Sequence, residues 1–125
     1  MLKKILVVDD ETGFTDALSD VFTARGYAVT AAHDGEEALE KMRGDRPDLV
    51  ILDIMMPRKD GYVLCAELKA NDETRDIPVV LLTAVGEAVP TTTYTHADGM
   101  STEADDYIPK PIDTDGLWEV VSALL

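Results

Sequence analysis

The stretch Asp48-Leu49-Val50-Ile51-Leu52-Asp53 decides the fold class of this chain. Four consecutive large aliphatic residues, with no polar residue between them, indicate a strand buried on both faces, as in a parallel sheet. Asp53 follows the run directly, so its carboxylate would lie at the carboxyl end of that strand. Open α/β sheets bind their ligands at this edge. Asp53 is therefore the first candidate for a functional residue.

A second acidic group follows a similar apolar run near the start of the chain. Ile5-Leu6-Val7-Val8 leads directly into Asp9-Asp10-Glu11. Because parallel strands end at the same edge of a sheet, we expect these acids to share one pocket with Asp53. Crowded carboxylates repel one another, and a hard cation with oxygen ligands, such as Mg²⁺, relieves that repulsion. The sequence thus predicts a magnesium site.

Strand and helix patterns alternate along the whole chain, which predicts an α/β fold with a mostly parallel sheet and helices on both faces. Gly26 is expected to end the first helix, and Asp34 to cap the start of the second. Strands are predicted at residues 5–8, 27–31, 49–52, 78–83 and 107–108. No internal repeat or linker interrupts the pattern, so residues 1–125 are expected to form one domain.

The segment between the fourth and fifth strands departs from this regular pattern. A crossover helix is expected there, yet the segment contains Gly86, Pro90, Gly99 and four threonines within residues 91–95, which are poor helix formers. We therefore expect an atypically long and poorly helical connection across residues 85–103.

Composition excludes several classes of function. The chain has 125 residues, and its formal net charge of −14 opposes binding to nucleic acid or to an anionic membrane surface. A single cysteine, Cys65, precludes an internal disulfide and is expected to be a small buried residue. No apolar run is long enough to span a membrane, so a cytoplasmic location is expected. His33 and His96 are interpreted as ordinary surface or loop residues.

Two further strand ends carry groups suited to phosphoryl chemistry. With Mg²⁺ nearby, a carboxylate can act as a nucleophile toward phosphorus. Lys110 follows the fifth strand and can pair with phosphoryl oxygens, while the hydroxyl of Thr83, after the fourth strand, can donate a hydrogen bond to them. Each residue alone has a simpler explanation: Thr83 as a helix cap, Lys110 as a solvated lysine, and Asp10 or Thr12 as the cap of the first helix.

Taken together, the motifs resemble the receiver domain of two-component response regulators over essentially the whole chain. The resemblance implies a flavodoxin-like, CheY-like five-stranded sheet of order 2-1-3-4-5, with Asp53 as the phosphoacceptor. The matching segments are Val7-Val8-Asp9-Asp10-Glu11, Asp34-Gly35-Glu36-Glu37-Ala38-Leu39, Pro47 to Asp53, Met56-Pro57-Arg58-Lys59-Asp60-Gly61, Pro78 to Ala84, and Ala104 to Pro111.

The same resemblance implies roles for the surrounding residues. Asp10, Asp53 and the backbone carbonyl of Met55 would bind Mg²⁺, with Asp9 acting through water. Lys110 would contact the phosphoryl group, and the Lys110–Pro111 peptide would be cis. Thr83 and Tyr107 would be paired switch residues, the hydroxyl of Thr83 moving toward the phosphoryl group while the ring of Tyr107 turns inward.

The expected function is that of a Mg²⁺-dependent phosphoacceptor switch and not of a turnover enzyme. Asp53 would receive its phosphoryl group from a sensor histidine kinase or a phosphotransfer protein, and the output would be contacts with a downstream protein or effector domain. One alternative is a degenerate receiver that serves as a constitutive docking module. An aspartyl-phosphate phosphatase is disfavoured because Met55 stands where a second aspartate is needed. A flavodoxin-like nucleotide binder is disfavoured because no phosphate loop follows the first strand. The sequence leaves open whether the chain is a stand-alone receiver or part of a larger protein.

Overall fold

A computed structural model describes residues 2–53, 61–83, 106–109 and 114–125 of the chain. Apart from the two strands on either side of residues 84–105, which lie outside these ranges, strands and helices alternate, and this confirms the predicted α/β pattern. The elements, labelled in chain order, are β1 (Lys4–Val8), α1 (Thr12–Ala24), β2 (Ala28–Ala32), α2 (Gly35–Gly44), β3 (Leu49–Asp53), α3 (Gly61–Ala70), β4 (Val79–Thr83), β5 (Asp106–Pro109) and α4 (Thr114–Leu124). The expected unusual connection between β4 and β5 lies outside the described residues.

The five strands form one parallel sheet in the order β2-β1-β3-β4-β5, which confirms the predicted topology. Register decides which residues meet at its carboxyl edge. Val8 pairs with Leu52, so the residues that follow them, Asp9 and Asp53, end neighbouring strands at the same level. Thr83 pairs with Pro109 at the end of β4 and β5. Asp9 and Asp53 therefore lie side by side at the carboxyl edge of the sheet.

Alternate residues of the strands enter two separate cores, one on each face of the sheet. Leu6, Val50 and Leu81 belong to a core that also contains Ala38 of α2 and Leu64 of α3. Their sequence neighbours contribute to the opposite core, where Phe22 of α1 and Leu117 of α4 pack against the sheet. Because both faces of the central strands are covered, these strands need an unbroken apolar run and not an alternating one.

Glycine and capping residues define the ends of the first helix. Gly26 has a φ of 95°, and its N–H donates to the carbonyl of Thr23 at 3.0 Å, which confirms that it terminates α1. At the other end the N-cap residue is Glu11, whose side chain makes no capping hydrogen bond. The alternative of Asp10 or Thr12 as the cap is therefore wrong, which leaves Asp10 available for another role.

Asp34 caps α2, as predicted, because its Oδ1 accepts a hydrogen bond from the Glu37 N–H at 2.8 Å. We expect Asp34→Ala to lower the free energy of unfolding by about 1 kcal/mol, since an N–H of the first turn loses its acceptor. Urea denaturation measures the change. Glu40→Ala, at an exposed position of the same helix, is the control. Equal stability of the two variants would contradict the capping role.

Two further side chains have defined surroundings, and those of Cys65 are the buried ones expected for it. Cys65 is completely buried within the core that faces α2 and α3. Trp118 packs on the flank of α4, where the guanidinium of Arg25 lies 4.6 Å from the centre of its ring. Arg25 also pairs with Asp115 at 3.1 Å, which joins the end of α1 to the start of α4. Within the described ranges, no helix is both long and apolar enough to span a bilayer.

Candidate functional site: an acidic cluster at the carboxyl edge of the sheet

Three carboxylates meet where β1 and β3 end. Asp9, Asp10 and Asp53 each offer a carboxylate oxygen, and these three oxygens all lie within 4.8 Å of one another. Asp9 is completely buried and Asp53 is 4% exposed, whereas Asp10 is exposed. The cluster therefore has a buried floor and one side open to solvent, through which a small ion or a substrate could enter.

The backbone around Asp9 holds the loop that follows β1 in a defined position. The Asp9 N–H donates to the carbonyl of Ala32 at 3.0 Å, which ties the loop to the end of β2. The carboxylate of Asp9 accepts from the Glu11 N–H, also at 3.0 Å. Asp9 is thereby oriented from both its main chain and its side chain, and the turn that carries Asp10 is fixed with it.

The cluster suits a hard divalent cation. Carboxylates this close destabilise one another when ionised, and burial of two of them removes the water that would otherwise screen the repulsion. Oxygen ligands of an octahedral Mg²⁺ are about 2.9 Å apart when adjacent and about 4.2 Å apart when opposite, so oxygens that lie within 4.8 Å of one another must move closer together when the ion binds. The charge and the all-oxygen ligand type thus fit Mg²⁺ better than a soft transition metal, which prefers nitrogen or sulfur ligands.

The remaining predicted site residues are only partly within the described chain. The backbone of Thr83 ends β4, the strand next to β3, at the same edge as the acidic cluster. Pro109, its partner in β5, immediately precedes Lys110. Tyr107 lies in β5 opposite Leu81. Lys110, Pro111 and Met55 lie outside the described residues, as do the side chains of Thr83 and Tyr107, so their roles stay predictions.

The structure reveals one group of contacts that the sequence interpretation missed. His33, predicted to be a plain surface residue, follows β2 directly, and its ring is held between two helices. Its Nδ1 lies 3.3 Å from the Glu37 carboxylate of α2, and its Nε2 lies 3.5 Å from the hydroxyl of Thr15 in α1. Thr15 is completely buried. The Asp34-Gly35-Glu36-Glu37 motif signals a helix start but not this link, because the partner in α1 is distant in sequence.

Glu37 is the centre of these contacts. Its carboxylate accepts from the backbone N–H of His33 at 2.8 Å and pairs with the ammonium of Lys41 at 3.2 Å. The hydrogen bond from the His33 backbone is the main cause that lowers the pKa of Glu37, and Lys41 lowers it further, while partial burial opposes both. The carboxylate is therefore held in its charged form. Lys41 also donates to the carbonyl of Ala31 in the edge strand β2.

Comparison with known families gives a match over nearly the whole chain. The model of the response regulator receiver domain matches residues 5–122. The response regulator MprA of Mycobacterium ulcerans is 41% identical across the entire chain, which covers 51% of that relative. MprA of Mycobacterium avium is also 41% identical, with 98% of this chain and 50% of that protein covered. The chain thus spans about half the length of these curated relatives.

Solved structures give the same result for the fold. The signal receiver domain of a signal transduction histidine kinase from Syntrophus aciditrophicus is 34% identical and superposes with a TM-score of 0.86, covering 98% of this chain and 89% of that one. The chemotaxis response regulator CheY4 of Vibrio cholerae is 27% identical, with a TM-score of 0.86 and complete coverage of both chains. The sheet order, the family match and these similarities agree: the chain belongs to the receiver domain family of two-component response regulators.

Proposed function

We propose that this protein is a Mg²⁺-dependent phosphoacceptor switch in which Asp53 receives a phosphoryl group from a phosphohistidine. The observation that carries the proposal is the position of Asp53, a nearly buried carboxylate at the end of β3 with oxygens of Asp9 and Asp10 within 4.8 Å. Membership of the receiver family supports the direction of transfer. We further propose that residues 1–125 form one domain, because a single sheet joins the strands at both ends of the chain.

The chemical step is a displacement at phosphorus. A carboxylate oxygen of Asp53 forms a bond to phosphorus while the phosphorus–nitrogen bond of the donor breaks, and the imidazole nitrogen keeps the electron pair. Asp53 is suited to this role because β3 fixes its backbone and burial strips its carboxylate of most of its water. When bound, Mg²⁺ would neutralise charge on the carboxylates and on the phosphoryl oxygens.

The other chain residues would hold the reacting groups in place. Asp9 and Asp10, with the backbone carbonyl of Met55, are proposed to retain the cation beside Asp53. Lys110 would pair with a phosphoryl oxygen, and the hydroxyl of Thr83 would donate to another. Thr83 and Tyr107 would then report the phosphorylated state to the surface near β5 and α4. The backbone pairing of Thr83 with Pro109 supports a shared location for these groups.

The proposal includes the partners that this chemistry requires. The donor would be a sensor histidine kinase or a phosphotransfer protein located in the cytoplasm with this chain. The output would be a change in contact with a downstream protein or effector domain, so the protein would act as a switch and not as a turnover enzyme. The net charge of −14 argues against nucleic acid as the direct partner of this domain.

A titration with beryllofluoride, which mimics a phosphoryl group on a carboxylate, tests the proposal. We expect beryllofluoride to raise the midpoint of thermal unfolding in the presence of Mg²⁺ and to leave it unchanged without Mg²⁺, because binding to the folded state stabilises it. No rise with both ligands would instead favour a constitutive docking module. A rise that does not depend on Mg²⁺ would also contradict the proposed mechanism.

A further inference from the structure

The acidic cluster is connected to α2 by a continuous series of hydrogen bonds. The Asp9 N–H donates to the carbonyl of Ala32, the last residue of β2. The next residue, His33, donates its own N–H to the carboxylate of Glu37 at 2.8 Å. The backbone of Ala32 and His33 therefore accepts a hydrogen bond from the loop of the acidic cluster on one side and donates one to Glu37 on the other.

The ring of His33 adds a second connection to the same region. Its Nε2 is 3.5 Å from the hydroxyl of Thr15, and that hydroxyl donates to the carbonyl of Thr12 in the first turn of α1. The first turn of α1 begins directly after the Asp9-Asp10-Glu11 stretch. The segment after β2 thus contacts the acidic loop at its start, through Asp9, and at its end, through α1.

Glu37 is well suited to hold this segment. Its carboxylate binds three hydrogen-bonding or charged groups: the His33 N–H, the His33 ring and the ammonium of Lys41. Its lowered pKa agrees with a carboxylate that stays ionised and keeps these partners. The neighbouring Glu36 is exposed, and no contact of its side chain is resolved within the described residues. The two glutamates of the motif therefore have different surroundings.

We infer that Glu37 is a positioning residue for the acidic cluster. Glu37 holds the backbone of Ala32 and His33 in place, and this backbone orders the loop of Asp9 for binding a divalent cation. This inference rests on the proposed function, because it concerns the same cation site. Groups that orient metal ligands without touching the metal commonly change its affinity. Glu37 acts one step further away, through the backbone. Its effect on the cation affinity should therefore be smaller than that of a group in direct contact with a metal ligand.

Binding of Mn²⁺ alone, followed by the loss of the electron paramagnetic resonance signal of the free ion, tests the inference. We expect Glu37→Ala to weaken Mn²⁺ binding by about three- to tenfold. Glu37→Gln removes the charge but keeps an oxygen that can accept from the His33 N–H, so it should restore most of the affinity. Glu36→Ala, which removes the exposed neighbour from the same helical turn, should bind as the wild type does. Thermal unfolding identifies the folded variants.

The outcomes separate this inference from the function on which it rests. If the wild type does not bind Mn²⁺, the cation site itself is wrong, and the proposed function fails with it. If the wild type binds but Glu37→Ala binds equally well, only the positioning role is overturned. Equal weakening in Glu37→Ala and Glu37→Gln would also overturn it, because the charge and not the hydrogen bond would then set the affinity.

Discussion

Replacing Asp53 by asparagine is expected to abolish phosphoryl acceptance, with a fall in rate of about three orders of magnitude or more. Asparagine has nearly the same shape but lacks the anionic oxygen that would attack phosphorus. The substitution should therefore remove the chemistry without disturbing the strand. Intact-protein mass spectrometry after incubation with Mg²⁺ and a small acyl phosphate donor measures the yield of phosphorylated protein.

The matched control for this experiment is an aspartate at the opposite end of the same strand, β3. Asp48 immediately precedes β3, and its carboxylate accepts a hydrogen bond from the Lys4 N–H at 2.8 Å. Asp48→Asn keeps an acceptor for that bond and stands at the amino edge of the sheet, far from the acidic cluster. It should be phosphorylated as the wild type is. Full labelling of Asp53→Asn at the wild-type yield would refute the assignment of Asp53.

The second large effect concerns stability and the bound cation. At a Mg²⁺ concentration about 100 times its dissociation constant, we expect the free energy of unfolding to rise by about 2.7 kcal/mol, because the ion binds only the folded state. Asp9→Asn should lose most of this gain, since a completely buried carboxylate of the cluster is neutralised. Urea denaturation with and without Mg²⁺ measures both quantities.

Without a divalent cation, the same substitution is expected to have the opposite sign. Asp9→Asn removes one of three crowded charges and keeps an oxygen that can accept from the Glu11 N–H. It should therefore stabilise the cation-free protein by about 1–2 kcal/mol. Asp16→Asn, at an exposed position of α1, controls for the change in net charge. A destabilised Asp9→Asn variant in the absence of cation would show that repulsion in the cluster is unimportant.

The two predictions test different properties of the same site. Asp53→Asn tests whether one carboxylate is the nucleophile. Asp9→Asn tests whether the three carboxylates of the cluster repel one another and whether a cation relieves that repulsion. Functional sites commonly keep such unfavourable interactions because the ligand, and not the fold, compensates for them. If both predictions hold, the reactive carboxylate and the unfavourable charge repulsion lie in the same acidic cluster.

Much of the fold was predictable because its strands are locally distinctive. The uninterrupted apolar run from Leu49 to Leu52 can be satisfied only by burial on both faces, and β3 has that environment. Gly26 and Asp34 marked helix ends because a positive φ and an N-cap oxygen are local requirements. The predicted second strand was displaced by one residue relative to Ala28–Ala32, since edge strands depend more on pairing than on composition.

The sequence by itself determined the fold class, the order of the strands through the family resemblance, and the acids that could share a pocket. It could do so because apolar periodicity, caps and the identity of strand-end residues are encoded over a few neighbouring positions. Only the tertiary structure decided that Asp9 is buried while Asp10 is exposed, and that His33 joins Glu37 to Thr15. Those properties arise from strand register and helix packing between residues distant in the chain, where no local pattern carries the information.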